Sequence, residues 1–381
     1  MAKRGNGEGS IYEHKRNGKK VGYRGAYTVY TAEGLKRRYV TGKTRQEVRQ
    51  KLTKAMSDRD GGFVFDAGSL TVGEFLERWL KDSVRGTVRP STFEVHRHMI
   101  QPHIMPTLGR LKLKDLTPVH VRCFYREKLN SGLSSATVRK MHSILRKALR
   151  QAVLDGLVPR NVCEAVKPPK VERKEIIPLD REQAKALLEA ARDASDRLEA
   201  LYVLAVHTGM REGELLGLKW EDVDLEASVL RLRHALVREG GKMVLGDLKT
   251  AKSRRSVRLT QAAANALRSH LERQLEEMER ASSLYQPGGL VFATETGTLI
   301  NPSNLRNRSF RPLLKQAGLP GICFHDLRHT CATLLLSQGT HPKLVQELLG
   351  HATIAMTLDT YSHFLPSMGD QTVKAMEAAL S

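Results

Sequence analysis

Apolar positions along the chain fall into three regimes. Up to about residue 41 they come in short runs punctuated by Gly and Asn, the mark of short strands. Gly9–Glu13 and Gly22–Thr31 flank Asn17-Gly18, a hairpin signal, and Leu35–Thr41 follows a second turn near Glu33-Gly34. Thr44 and Glu47 are spaced as a capping box for a helix reaching about Met56. From 70 to 166 the apolar spacing is helical. Thr71 and Glu74 cap a first helix, with Phe75, Leu76, Trp79 and Leu80 on one face. Ser91 and Glu94 cap a second, which Pro102 and Pro106 are expected to end. Thr117-Pro118 opens a third with proline at its favoured first position, and a fourth runs from Ser135 to Asp155.

The third regime mixes both patterns. Asp180 caps a helix, Leu201–Val206 reads as a buried helical run, and Val229–Leu236 and Met243–Leu248 read as strands joined at Glu239-Gly240-Gly241-Lys242. Ser256–Leu259 suits a further strand, and helices are expected from Thr260, Pro302, His325, Pro342 and Ile354. The fold class is therefore multidomain, mainly α with small β-sheets. It comprises a three-stranded sheet plus helix (1–66), a helical domain (67–170) and a mixed α/β domain (171–381), with linkers at 57–69 and 167–178.

Charge sharpens this picture. The chain of 381 residues carries a net +21. Residues 1–66 hold 16 basic and 7 acidic side chains, 67–170 hold 19 and 8, and 171–381 hold 27 and 26. The excess sits in the first two domains and points to a polyanion such as DNA, with a solvated, solubilising surface as the bland alternative. Arg24, Arg37 and Arg38 interleave with tyrosines on the N-terminal strands, a pattern for a nucleic-acid reader or for a small sheet's core. Arg139, Lys140, Arg146 and Lys147 mark the outer face of the fourth helix. No apolar run reaches a membrane span, and no signal segment opens the chain, so a cytoplasmic, nucleoid-associated protein is expected. Four cysteines suit a reducing compartment. Cys323, His325, His329 and Cys331 only half meet the spacing of a zinc site, so no metal is expected.

Four segments hold chemistry: Thr208-Gly209-Met210-Arg211-Glu212-Gly213-Glu214, Leu248-Lys249-Thr250, His325-Asp326-Leu327-Arg328-His329-Thr330, and Leu348-Leu349-Gly350-His351 with Tyr361 beyond it. Singly each is weak. Together, in this order, they resemble the tyrosine recombinases, the family of lambda integrase and related phage and mobile-element integrases. The resemblance implies an active site of Arg211, Lys249, His325, Arg328, His351 and Tyr361, with Glu214 at the acidic position after the first arginine. It further implies that 1–66 is an arm-type and 67–170 a core-site DNA-binding domain. It implies a homotetramer on two double-stranded DNA sites, with an excision-directing protein and a DNA-bending protein as possible partners.

Elementary chemistry supports these roles. Two guanidiniums, Arg211 and Arg328, can each donate two hydrogen bonds to a phosphodiester gaining charge. Glu214 would hold Arg211, or is a surface acid beside it. Tyr361 needs a proton acceptor, for which His325 is the expected group, because a phenol ionises only near pH 10. His351 would bond the phosphate or place the tyrosine, or else cap and pack a helix. Lys249 is the expected acid for the departing 5′ oxygen, and Lys252, Arg254, Arg255 and Arg258 are expected to grip the DNA backbone. Such a scheme calls for no metal, cofactor or ATP. A type IB topoisomerase, a catalytically inactive DNA-binding regulator and a zinc-dependent nuclease are the competing readings. The last ten or so residues suit a short helix that either links protomers or packs on its own domain.

Overall fold

A computed structural model describes residues 9–16, 19–31, 34–60, 69–172, 176–248, 254–361 and 376–380, without the side chains of 16, 30, 31, 34–36 and 58–60. The chain separates into two compact units, Met1–Glu172 and Arg173–Ser381.

In the first unit, β1 (Ser10–Arg16), β2 (Lys19–Thr31) and β3 (Gly34–Gly42) form an antiparallel sheet in that order. The expected turns at Asn17-Gly18 and Glu33 lie outside the described residues. Helix α1 (Arg45–Asp60) starts as predicted, with Glu47 N–H bonded to Thr44 Oγ1 and Lys43 N–H to Glu47 Oε2. It covers one sheet face, since a Cβ on Gly25 would touch Val48. Pairing puts Tyr12, Arg24 and Thr41 side by side, Ala26 beside Tyr39, and Thr28 beside Arg37. By the two-residue period these point away from α1. Arg38 pairs with Tyr27 and so belongs to the α1 face, apart from Arg24 and Arg37.

The helical part begins with α2 (Val72–Arg78), whose Thr71–Glu74 capping box is complete. Next come α3 (Pro90–Met99) and α4 (Met105–Leu108). The predicted Ser91 cap is corrected: Pro90 occupies the first turn and Arg89 the cap position. The prolines also fail to end the helix. A π-turn over Ile100–Ile104 carries it past Pro102, and Pro106 falls in the first turn of α4. Helices α5 (Pro118–Asn130) and α6 (Ser135–Leu154) start where the sequence places them, capped by Thr117 and Ser134. Val138, Met141, Leu145 and Leu149 of α6 are buried, while Arg139, Lys140, Arg146 and Lys147 are exposed.

The second unit is built around α8 (Glu199–Thr208), which follows α7 (Arg181–Asp193). Ala200 to Val206 are all buried, so this helix is apolar all round and is the centre of the core. A short α9 (Glu212–Leu216) leads to β4 (Val223–Asp224), β5 (Val229–Leu232), β6 (His234–Glu239), β7 (Lys242–Asp247) and β8 (Arg255–Arg258). The predicted single strand Val229–Leu236 is thus two. β5 pairs with β4 and β8, and β6 pairs only with β7 as a separate hairpin. Helices α10 (Gln261–Ala281), α11 (Pro302–Asn304), α12 (Arg311–Gln316), α13 (Asp326–Ser337), α14 (Pro342–Leu349) and α15 (Ile354–Tyr361) complete the unit. Helices α7, α10 and α13 pack on α8. Among the described residues no helix is long and apolar enough to cross a membrane.

Candidate active site

Arg328 is the centre of the site. The first turn of α13 points it inward, where it is 2% exposed. A buried guanidinium must have its N–H groups satisfied. Nη1 donates to the Gly209 carbonyl at 2.8 Å and Nη2 to the Leu349 carbonyl at 2.7 Å. Those carbonyls are presented by two helix ends of one kind. Gly209 closes α8 and Gly350 closes α14, both in the left-handed conformation, at φ 60 and 66°. Two of the sequence motifs are therefore Arg328's anchors. Burial lowers its pKa to about 10, with the nearby Arg211 charge adding to the shift, so it stays charged at neutral pH.

Arg211 stands at the N-cap of α9. Its Nη1 bonds Glu214 Oε1 at 2.7 Å and its backbone N–H bonds Glu214 Oε2 at 3.0 Å. Glu214 is 2% exposed and also holds Arg255, whose Nη2 lies 3.1 Å from Oε2. Burial pushes the Glu214 carboxyl upward, but Arg255 and then Arg211 pull it further down, so it is ionised. Glu214 is thus a buried clamp on two arginines, not a surface acid. Arg255 is the main departure from the sequence expectation. Instead of facing DNA, its side chain is 8% exposed and its Nε bonds the Leu348 carbonyl at 2.7 Å. Alternation along β8 explains this: Arg255, Val257 and Leu259 point inward, and Arg254 lies outside with a 62% exposed side chain. Lys249 and Lys252 lie outside the described residues.

The nucleophile candidate arrives from the other side. Tyr361 closes α15, is 1% exposed, and burial pushes its hydroxyl up to about 12, against the pull of Arg328. His351 fixes this helix, its Nδ1 lying 2.9 Å from Thr357 Oγ1 on α15. Burial, then Arg328 and Arg211, lower the His351 pKa to about 4. His325 is lowered to about 4 as well, by crowding around its ring, then by His329, Arg328 and Arg211.

The Tyr361 hydroxyl is hydrogen-bonded to His329, not to the expected His325: Nδ1 to Oη is 2.6 Å. The His329 ring lies between the two, edge-on to His325 at 5.0 Å and 5.5 Å from Tyr361. The sequence contained a signal for this, since His325 and His329 are four apart and share a helical face. In the sequence the same spacing suits half of a zinc site equally well. Cys323, His325, His329 and Cys331 do not converge. The side chains of described residues that do are Glu221, Asp222 and His234.

The chain as a whole is similar to known proteins. Residues 178–367 match the phage integrase family, and 71–129 the phage integrase N-terminal SAM-like domain. A tyrosine recombinase XerC-like protein of Caldanaerobacter subterraneus subsp. tengcongensis is 32% identical over 95% of this chain and 97% of its own. An integrase of Saccharopolyspora erythraea is 27% identical over 87% of this chain and 88% of its own. The Tn1549 transposon integrase in complex with a circular intermediate DNA superposes with a TM-score of 0.67 over 82% of this chain and 100% of that one, at 22% identity. A lambda integrase tetramer bound to a Holliday junction gives 0.57 over 94% and 95%, also at 22% identity. These two likenesses are of fold. The chain belongs to the phage integrase family of tyrosine recombinases. It is by membership a site-specific recombinase.

Proposed function

We propose that this chain cleaves and rejoins DNA through a 3′-phosphotyrosine formed by Tyr361, and so integrates and excises a phage or mobile element. The observation that carries the reading is the convergence of a buried tyrosine, two guanidiniums and three imidazoles from three of the four sequence segments. Arg211 and Arg328 hold the non-bridging oxygens, and their fixed charge takes the electrostatic part that a metal takes in other phosphoryl transfers. Arg328 spends two of its five N–H groups on Gly209 and Leu349, leaving others for the phosphate. Glu214 and His351 keep Arg211 and α15 in place. A histidine on the α13 face receives the tyrosine proton, and Lys249 protonates the departing 5′ oxygen. The phosphotyrosine retains the energy of the broken bond, so neither ATP nor a cofactor is called for.

The partners follow from charge and family. The exposed basic face of α6 supports core-site binding by 67–170. The sheet face with Arg24 and Arg37 beside Tyr12 and Tyr39 supports arm-site binding by 1–66. Arg254 and Lys252 join the grip on DNA beside the hairpin. The similarity in fold to lambda integrase, seen as a tetramer bound to a Holliday junction, supports a homotetramer on two duplexes. An excision-directing protein, a DNA-bending protein and a cytoplasmic, nucleoid-associated location belong to the same reading. Incubating two duplexes carrying the element's junction sites, in excess chelator, tests it. Recombinant duplexes are expected. Relaxation of a single supercoiled duplex without exchange would favour a topoisomerase, and binding without cleavage an inactive regulator.

A further inference from the structure

Resting on the reading that Tyr361 is the nucleophile, we propose that His329 is the catalytic base that takes the Tyr361 proton during cleavage and returns it during rejoining. The geometry carries this. Tyr361 is a buried residue, 1% exposed, and a buried tyrosine needs a partner for its hydroxyl inside the protein; the partner bonded to it is His329 Nδ1, at 2.6 Å. His325 stands one ring farther out, meeting His329 edge-on at 5.0 Å within the field of Arg211 and Arg328, where a phosphate held by those arginines would meet it.

The surroundings of His329 suit a base. Burial and Arg328 lower its proton affinity, which leaves a neutral imidazole with one free lone pair at neutral pH. Asp326, one turn earlier on α13, acts in the opposite sense and would steady the imidazolium once formed. In cleavage, the Tyr361 oxygen bonds to phosphorus and its proton passes to His329 Nδ1. The bond from phosphorus to the 5′ oxygen breaks, and that oxygen takes a proton from Lys249. In rejoining, the incoming 5′-hydroxyl gives its proton to Lys249 and bonds to phosphorus. Tyr361 then leaves and recovers its proton from His329. Protons and electron pairs balance over the two steps.

The test is the single-turnover rate of covalent adduct formation on a nicked suicide duplex, in the full chain. It compares wild type, His329→Ala, His329→Asn and His325→Ala, each with tyrosine or a more acidic ring-fluorinated tyrosine at 361. Gel-shift binding confirms that each variant is folded. His329→Ala should lose about 100-fold or more, in the range of general-base contributions. The fluorinated tyrosine should restore much of that loss, because it needs less help to ionise. His329→Asn, which can hold a hydrogen bond but cannot carry a proton, should stay slow and be restored likewise. His325→Ala should be slow and not restored. Near-wild-type cleavage by His329→Asn, or a slow His329→Ala that the fluorinated tyrosine does not restore, would overturn the proposal in favour of a placing role. Failure of the wild type itself to form an adduct would instead defeat the nucleophile assignment.

Discussion

At the residue scale, each buried charge in the site is accounted for by a named partner. Glu214 sits between Arg211 and Arg255, and Arg328 between two backbone carbonyls. The types of residue were legible in the sequence; their directions were only partly so. Arg255 was readable in principle, because Arg255, Val257 and Leu259 alternate, but a run of cations near a hairpin draws the eye to DNA. His329 was legible only in part, because helical spacing says that two imidazoles share a face and not what they face. Lys249 gives a prediction at this scale. A 5′-bridging sulfur makes the leaving group a thiolate, whose acid has a pKa of about 8.5 and needs no proton donor. Lys249→Ala should cleave normal DNA very poorly and the thio substrate nearly as well as wild type, whereas Arg328→Ala should not be restored to the same degree. Equal slowness of Lys249→Ala on both substrates would make Lys249 an electrostatic residue only. His351 gives a second. Its folded pKa is about 4 against an ordinary 6.5, so the unfolded chain binds the extra proton first as pH falls. Its contribution to stability is complete above about pH 6.5 and is lost as pH falls towards 4. Thermal melts should show this loss, and His351→Gln should flatten the slope; an unchanged slope would count against a buried neutral imidazole.

At the element scale, glycine-terminated helix ends build the site. Gly209 and Gly350 turn the chain at φ 60 and 66°, and each aligns a motif with an arginine. A Cβ on Gly209 would fall 2.5 Å from Leu349 and 3.2 Å from Cys331, in a backbone region that costs an L-residue about 1–2 kcal/mol. Gly209→Ala should therefore lower stability by at least about that much in urea melts. It should also slow cleavage beyond the stability loss, by shifting the carbonyl that Arg328 holds. Wild-type cleavage in a folded Gly209→Ala variant would contradict this anchoring. Helix starts were read well from caps, as at Thr71, Thr117, Asp180 and Thr260. The prolines misled, because a π-turn absorbs the missing N–H of Pro102, a choice made by packing and not by local propensity.

At the scale of the whole molecule, the chain forms two compact units and carries its charge unevenly. The net excess lies almost wholly before residue 171, earlier in the sequence than the candidate site residues. Deleting residues 1–66 should abolish binding to one class of DNA site and spare another, read by gel shift at several salt concentrations. A folded 1–66 fragment without salt-sensitive affinity for DNA would defeat that assignment. The sequence made the three-regime layout visible because each regime has its own apolar spacing. The expected C-terminal helix is described only at 376–380, where the helical turn is exposed throughout; residues 362–375 lie outside the described residues. The central claim, that Tyr361 becomes covalently joined to DNA, has one direct measurement. Wild-type protein is incubated with a nicked junction-site duplex, denatured and digested, and the peptide carrying a nucleotide is identified by mass spectrometry. The account predicts a 3′-nucleotide on Tyr361, and none from Tyr361→Phe despite normal DNA binding. A nucleotide on any other residue, or an adduct that survives Tyr361→Phe, would contradict it.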